Sequence, residues 1–347
     1  MNQNNIIFLY AELTPYLIGC LQSFIEENSN LSIRVYYHNV FNKLDLNITS
    51  IEFIDRKIFK NELELYYDVK KNKPKVLLIS GRMDKGYLFV AKKFKNTIQR
   101  VCLFDTIYRN DILNLIKKLF SKYLYKQYFD VMWGVGKLQE KFALEIGYKS
   151  ENIRNGFYVA DKKFSDNNFT PNFHRKNYNF LFIGRLVKEK NILNFAQAIE
   201  NLNNKTNSNH KLGVIGEGYL KPSIINFSCT NYLGSKTQDE IISISHNYQA
   251  FCLPSIYEPW GVVLHEMASI GMPILSSDQC GSAYDLIEDG KNGFKFNPHS
   301  IKSIENSLIK FISLTLHEKI KFSERSKEIS KKINHIQWNN NLLGLLK

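Results

Sequence analysis

Short apolar runs alternate with longer segments of helical period along this chain, and the series runs twice through its 347 residues. No other feature constrains the fold as much. Strands joined by helices pair in parallel, and a parallel sheet needs both of its faces covered. In the first series residues 6–11, 31–37, 76–80, 101–104 and 131–135 read as strands. Helices are expected over 16–25 and 111–129; the latter carries Ile112, Leu115, Ile116, Leu119, Tyr123 and Leu124 on an apolar face. Residues 161–178 are polar, contain Pro171 and lack periodicity, so they read as a linker. The second series predicts strands at 179–183, 211–215, 230–233, 250–253, 272–276 and 293–296, a helix over 192–203, and helices from residue 301 onward. The fold class expected is α/β: two Rossmann-like, doubly wound domains, 1–168 and 169–329, with ligand crevices at the carboxyl ends of their strands. A hydrophobic content of 44% is ample for two cores.

One stretch concentrates the chemistry. In residues 250–274, AFCLPSIYEPWGVVLHEMASIGMPI, a short apolar run is stopped by Pro254 and Ser255. A loop follows, then a helix whose apolar positions Val263, Leu264, Met267, Ala268 and Ile270 end at Gly271 and Pro273. Strand, loop and helix N-terminus together aim free N–H groups and the positive end of a helix dipole at whatever lies above the loop. Glu258 sits in the loop and Glu266 eight positions later, about two helical turns on. Helix N-termini suit a diphosphate, and carboxylates suit the hydroxyls of a ribose or a sugar. A Glu pair by itself is more often a helix with an ordinary first-turn acid, and the surrounding residues reverse that reading. His265 reads as a packing residue rather than a base.

The Glu258-x7-Glu266 spacing resembles the signature of retaining glycosyltransferases of the GT-B fold, family 4 in particular. Three further segments follow the family's pattern in order: Phe182-Ile183-Gly184-Arg185-Leu186-Val187-Lys188-Glu189-Lys190, Gly213-Val214-Ile215-Gly216-Glu217-Gly218, and Tyr232-Leu233-Gly234. The resemblance is specific over about residues 178–300 and weak before 170. It implies two domains facing across a cleft, with the tail, 330–347, crossing back to the N-terminal domain. It makes the first domain the acceptor side and the second the donor side. Arg185 and Lys190 would stabilise the departing diphosphate, a task for which a planar fork and a point charge are suited. Glu258 would contact the donor sugar and Glu266 the ribose, while the N–H groups of Gly261 and Val262 face phosphates and sugar. Gly184, Gly216, Gly218, Leu233, Gly234 and Lys236 complete the expected donor site, although Gly216 and Gly218 fit a plain tight turn equally well. The family's retention is thought to proceed by front-face attack without a protein nucleophile. No metal site and no cofactor are expected, and the sequence has no Asp-x-Asp motif. The co-substrate expected is a nucleotide diphosphate sugar, UDP favoured and GDP second, with a glycan or lipid-linked acceptor of surface polysaccharide or lipopolysaccharide synthesis. A nucleotide-sugar epimerase of the same fold and a non-catalytic binding protein are the alternatives.

The first domain departs from the family pattern. Ala11-Glu12-Leu13-Thr14-Pro15-Tyr16 replaces a common Gly-Gly loop, and Phe104-Asp105-Thr106 stands where many members carry a His. Thr14, Pro15 and Asp105 are the acceptor-side candidates. Charge adds a partner. Of 46 basic and 33 acidic residues, 18 basic and 6 acidic lie between Arg56 and Lys126, so the excess is concentrated in the first domain and calls for an anionic surface. Lys118, Lys122 and Lys126 recur at helical spacing beside Phe120, Tyr125 and Tyr128. That stripe suits an anionic membrane better than nucleic acid, which is not an expected partner. The sequence has no apolar run long enough for a membrane span, and the N-terminus reads as a first strand rather than a secretion signal. Five scattered cysteines form no C-x-x-C pair. The location expected is the cytoplasm, peripherally on the inner face of the plasma membrane.

Overall fold

The computed structural model describes residues 4–40, 44–107, 120–167, 170–174 and 179–346. The chain forms two compact units, one of Met1–Val159 with Ile333–Lys347 and one of Ala160–Lys332.

The first unit runs β1 (Asn4–Leu13), α1 (Pro15–Glu27), β2 (Leu31–Val40), β3 (Ile51–Asp55), α2 (Glu62–Lys71), β4 (Pro74–Ser80), α3 (Lys85–Lys93) and β5 (Gln99–Phe104). A helical segment over 120–126, here α4, leads to β6 (Val131–Gly134), α5 (Lys137–Glu145) and β7 (Ile153–Arg154). The seven strands pair in parallel in the order β3-β2-β1-β4-β5-β6-β7. Ile6, Ile7, Phe8 and Leu9 are all fully buried, as a strand covered on both faces requires. The sequence pattern missed β3 and β7. The former, Ile-Glu-Phe-Ile-Asp, is an edge strand with one fully covered residue, and the latter has two residues, so neither leaves an apolar run.

The second unit contains α6 (Lys162–Ser165), β8 (Phe180–Ile183), α7 (Ile192–Thr206), β9 (Leu212–Ile215), α8 (Lys221–Ile224), β10 (Thr230–Gly234), α9 (Gln238–Ser245) and β11 (Ala250–Leu253). There follow α10 (Val262–Ser269), β12 (Ile274–Ser277), α11 (Ala283–Leu286), β13 (Gly293–Phe296), α12 (Ile301–Ile312) and α13 (Leu316–Ser330). Its six strands are parallel in the order β10-β9-β8-β11-β12-β13.

The last helix, α14 (His335–Gly344), returns to the first unit, as the resemblance implied. Trp338 is fully buried there, against Trp133 at 5.3 Å and Phe24 at 6.2 Å between ring centroids, and its Nε1–H donates to the Phe157 carbonyl at 3.1 Å. The change of unit falls at Val159/Ala160, ahead of the stretch expected to link them. Despite its polar composition, that stretch opens with α6, capped by Asp161 and anchored by fully buried Phe164. The apolar face expected for the helix over 111–129 also needs correction. Residues 108–119 lie outside the described residues, and in α4 it is Ser121 and Tyr125 that are buried, with Phe129 one turn beyond, while Tyr123 and Leu124 are 75% and 40% exposed.

Candidate active site

In the second sheet β8 and β11 are neighbours whose connections leave in opposite directions, toward β9 on one side and β12 on the other. Loops that part in this way open a crevice beyond the strands' carboxyl ends. Gly184 and Arg185 follow β8, and the segment from Pro254 to Gly261 follows β11.

That segment is held as a rigid ledge. Ile256 N–H donates to the Glu189 carbonyl at 2.9 Å, in the 3-10 turn Lys188–Lys190. On its other side Glu258 N–H donates to Gln279 O at 3.2 Å, Gly281 N–H to Glu258 O at 2.9 Å and Ser282 N–H to Trp260 O at 3.0 Å. Trp260 is buried beneath. The Cys280 thiol donates to Trp260 O at 3.2 Å, and burial pushes it up to about 11, the Glu258 charge adding to the shift. Such a thiol is a packing group, not a nucleophile.

Lys190 and Glu258, expected separately on phosphate and sugar, form an ion pair with each other. Their side chains are 16% and 13% exposed, and Ser255 Oγ lies 3.4 Å from the same carboxylate oxygen. Arg185 differs. It is exposed, and its side chain has neither hydrogen bond nor ion pair among the described residues, so its fork is free to meet an anion.

Gly261 heads α10 with φ +84°, and a Cβ there would lie 2.9 Å from Leu253 Cδ2 and 3.0 Å from Glu258 Cγ. Only glycine fits. Since no side chain caps α10, the leading N–H groups, that of Val262 among them, stay available for a ligand's oxygens, while Leu264 N–H already donates to Gly261 O at 2.9 Å. His265 is a tie within the unit: Nδ1 accepts from Ala160 N–H at 3.0 Å and Nε2–H donates to Ser330 O at 3.2 Å. Glu266 is partly buried, and its carboxylate has no partner among the described residues. Burial, and secondarily the Asp161 carboxylate, push it up to about 7.

Beside β8 the two glycines have a structural reason. Gly216 (φ +130°) and Gly218 (φ +158°) press on the loop after β8 so closely that a Cβ would sit 2.0 Å from Gly184 O and 2.4 Å from Leu186 O. Gly234, at φ +72°, ends β10 and accepts from Gly216 N–H at 2.9 Å. Leu233 is half-buried in the same strand. Lys236 is turned to Glu240 at 3.4 Å, on the capping box that starts α9, rather than into the crevice. Sequence reading missed a cluster at this rim: Tyr232 O–H donates to Glu217 Oε1 at 2.5 Å, Lys221 Nζ stands 4.6 Å from the Tyr232 ring centre, and Tyr219 O–H accepts from Lys188 N–H at 2.9 Å. The Gly-x-Gly frame around Glu217 was its one visible sign.

In the first unit a cavity of about 520 Å³ opens at the ends of β1, β4 and β5. Thr14 and Asp105 line it, and Pro15 occupies the first turn of α1. Of the basic stripe, Lys118 lies outside the described residues. Lys126 donates to Gly147 O at 2.7 Å, and Tyr125 is in the core. The exposed residues of α4 are Phe120, Lys122, Tyr123, Leu124 and Lys126. Part of the basic excess is internal, since Arg100 is buried and paired with Asp130 at 2.7 Å. Among the described residues no helix is long and apolar enough to cross a membrane.

The family model of glycosyl transferases group 1 matches residues 164–332, the segment that contains the whole crevice of the second unit. A solved Anabaena protein, HepE in complex with UDP and glucose, superposes with a TM-score of 0.73 over 99% of both chains at 13% identity. The chain has the GT-B fold, and its second unit is similar to glycosyl transferases group 1. An uncharacterized glycosyltransferase of Methanocaldococcus jannaschii is 29% identical over 187 residues, 50% of this chain and 49% of that one. A Campylobacter jejuni N-acetyl-D-galactosaminyltransferase, named for a diphospho-undecaprenol-linked glycan, is 30% identical over 136 residues, 38% and 37% of the two chains. The chain thus spans about half or less of the length of these curated relatives. The family match and the Gly184–Glu266 motifs fall on the same unit of this GT-B chain.

Proposed function

We propose that this chain transfers a glycosyl unit from a nucleotide diphosphate sugar, UDP before GDP, to a hydroxyl of a glycan or lipid-linked glycan, with retention at the anomeric carbon. The observation that carries the reading is the ledge at the β8/β11 switch point. It sets the Lys190–Glu258 pair, the uncapped N-terminus of α10 and the unpaired Arg185 around one crevice.

The chemistry follows from those charges. The bond between the anomeric carbon and the diphosphate oxygen breaks, and its electron pair leaves on the diphosphate. Arg185, Lys190 and the leading N–H groups of α10 stabilise that charge as it grows, which lowers the barrier electrostatically. Lys190 is held in place beforehand by Glu258, and Glu258 in turn accepts a hydroxyl of the donor sugar. Glu266 accepts from the ribose hydroxyls. The acceptor oxygen bonds to carbon from the face the diphosphate leaves, and its proton passes to a diphosphate oxygen. These steps use no metal.

The acceptor belongs to polysaccharide or lipopolysaccharide synthesis in this reading, supported by the lipid-linked glycan in the Campylobacter relative's name. Contact with an anionic membrane would run through α4, where Phe120, Tyr123 and Leu124 are exposed beside Lys122. Such a chain works in the cytoplasm on the inner face of the plasma membrane. Thermal denaturation with uridine, guanosine and adenosine diphosphates tests the donor half of the proposal. One nucleotide should raise stability by about 1.4 kcal/mol per tenfold in concentration above its Kd, and an equal absence of effect from all three would overturn it.

A further inference from the structure

His265 stands directly before Glu266 on α10 and is buried, with both ring nitrogens on main chain from distant parts of the sequence. Nδ1 accepts from Ala160 N–H at 3.0 Å, and Nε2–H donates to Ser330 O at 3.2 Å. Those partners fix the neutral imidazole with its proton on Nε2. The chain enters the second unit at Ala160 and leaves it after Lys332. One side chain therefore ties both the entry and the exit to the helix that carries Glu266. An apolar residue could fill the same space, but it would leave a buried N–H and a buried carbonyl without their bonds.

Asp161 follows Ala160. Its carboxylate caps α6, accepting from Lys163 N–H at 3.0 Å, and after burial it is the group that raises the Glu266 carboxyl. Two carboxylates held close oppose each other's charge, so the position of one sets how readily the other ionises. The elements packed on α10 also carry Lys162 and Lys163 in α6, Asp285 in α11, and Lys327 and Lys331 in α13 and just beyond it. Lys163 is turned to Asp239 at 3.1 Å, and Lys327 packs on Gly271, past the end of α10. Since α6 is a single turn anchored by Phe164, the N–H just ahead of its cap is a point at which Asp161 can be fixed. We propose that His265 is a positioning residue: through Ala160 it holds the Asp161 carboxylate beside Glu266, and through Ser330 it keeps the exit of the unit on the same helix. The inference rests on the transferase reading, in which Glu266 accepts from the ribose, and it names what tunes that group. With Asp161 held in place, Glu266 stays protonated to higher pH, and nucleotide is gripped less tightly below neutrality.

Three substitutions take the two bonds apart. Asparagine puts an oxygen where Nδ1 stands, and glutamine puts an N–H where Nε2 stands. His265→Asn therefore keeps the Ala160 bond, His265→Gln keeps the Ser330 bond, and His265→Leu keeps neither. Protein labelled at the glutamate carboxyl carbon is titrated by NMR between pH 4 and 9, the Glu266→Gln spectrum identifying the signal. UDP and GDP affinities are measured at pH 6 and 8, and circular dichroism checks the fold. Glu266 in His265→Asn should titrate as in the wild type, whereas its midpoint should fall by about half a unit or more in His265→Gln and His265→Leu. The nucleotide that binds the wild type should bind His265→Gln about threefold more tightly at pH 6 and equally at pH 8. A damaged site would bind more weakly, so the sign separates positioning from structural loss. If Glu266 titrates alike in all four proteins, or falls alike in His265→Asn and His265→Gln, the proposal is wrong. Nucleotide binding with an unmoved midpoint sinks this inference alone. A midpoint that falls only in His265→Gln and His265→Leu, with neither UDP nor GDP bound by the wild type, sinks the transferase reading and keeps His265 as the group that holds Asp161 on Glu266.

Discussion

At the scale of single residues, the candidate site divides into groups that were visible in the sequence and couplings that were not. Arg185, Lys190, Glu258 and Glu266 stand out through the family resemblance that their motifs carry, not by spacing alone. Nothing in spacing reveals that Lys190 and Glu258 are one ion pair or that Glu266 is held near neutrality, because both depend on where loops meet. Arg185→Ala should lower kcat by about 100-fold with an unchanged melting temperature, since the side chain supports nothing in the fold. Lys190→Ala should lose a similar factor and also cost stability, because it strands a largely buried carboxylate. Steady-state kinetics and thermal denaturation of the two variants separate these outcomes. Equal stability losses would mean that the pair is not formed. Glu266 gives a pH test. Its folded value of about 7 lies above the ordinary 4.5, so the folded state binds the extra proton. Stability from this group is therefore present at low pH and lost as pH rises through about 7. Glu266→Gln should be more stable than the wild type at pH 8, by roughly 2 kcal/mol after allowance for partial exposure, and no different at pH 4. Nucleotide affinity of the wild type should rise as Glu266 ionises between pH 6 and 8, and the Gln variant should lack that rise. A flat difference in stability between pH 4 and 8 would count against the shift.

Elements were legible to the extent that they buried an unbroken apolar run. β11 and β13 begin and end where the pattern predicts because all or nearly all of their residues are inside. Edge strand β3 escaped, and so did α2 and α3, whose helices are short and rich in charge. The glycines of the β9 loop show why a motif needs a structure. Their spacing fits nucleotide approach, yet their immediate cause is contact between two loops. Gly216→Ala should destabilise the second unit by about 2 kcal/mol or more, as its Cβ would meet a backbone carbonyl that cannot move aside. Chemical denaturation measures this, and a change under about 0.5 kcal/mol would show that the loops separate easily. Helix α4 carries the membrane proposal. Liposome flotation should show binding to anionic but not zwitterionic vesicles, weaker at high salt and lost when Phe120, Tyr123 and Leu124 become Ser. Binding that survives this triple change would move the contact elsewhere.

For the whole molecule, two parallel sheets and a returning last helix follow from rhythm and from family resemblance together. The boundary between units does not, since a polar segment with one buried Phe and one capping Asp folds as part of the second unit. The cavity of the first unit was least legible of all, because it is assembled from residues between Tyr10 and Tyr158 with no shared motif. The central claim is that the second unit activates a nucleotide sugar through Arg185, the Lys190–Glu258 pair and Glu266. The most direct measurement is the release of nucleotide diphosphate from a panel of UDP- and GDP-sugars in the presence of a glycan acceptor, in EDTA, for the wild type, Glu258→Gln and Glu266→Gln. The account predicts turnover of one donor by the wild type, unaffected by EDTA. Turnover should fall by about 100-fold in Glu258→Gln with diphosphate affinity kept, and affinity should be weakened in Glu266→Gln. Turnover that both variants retain, or that returns only when a divalent metal is added, would contradict it.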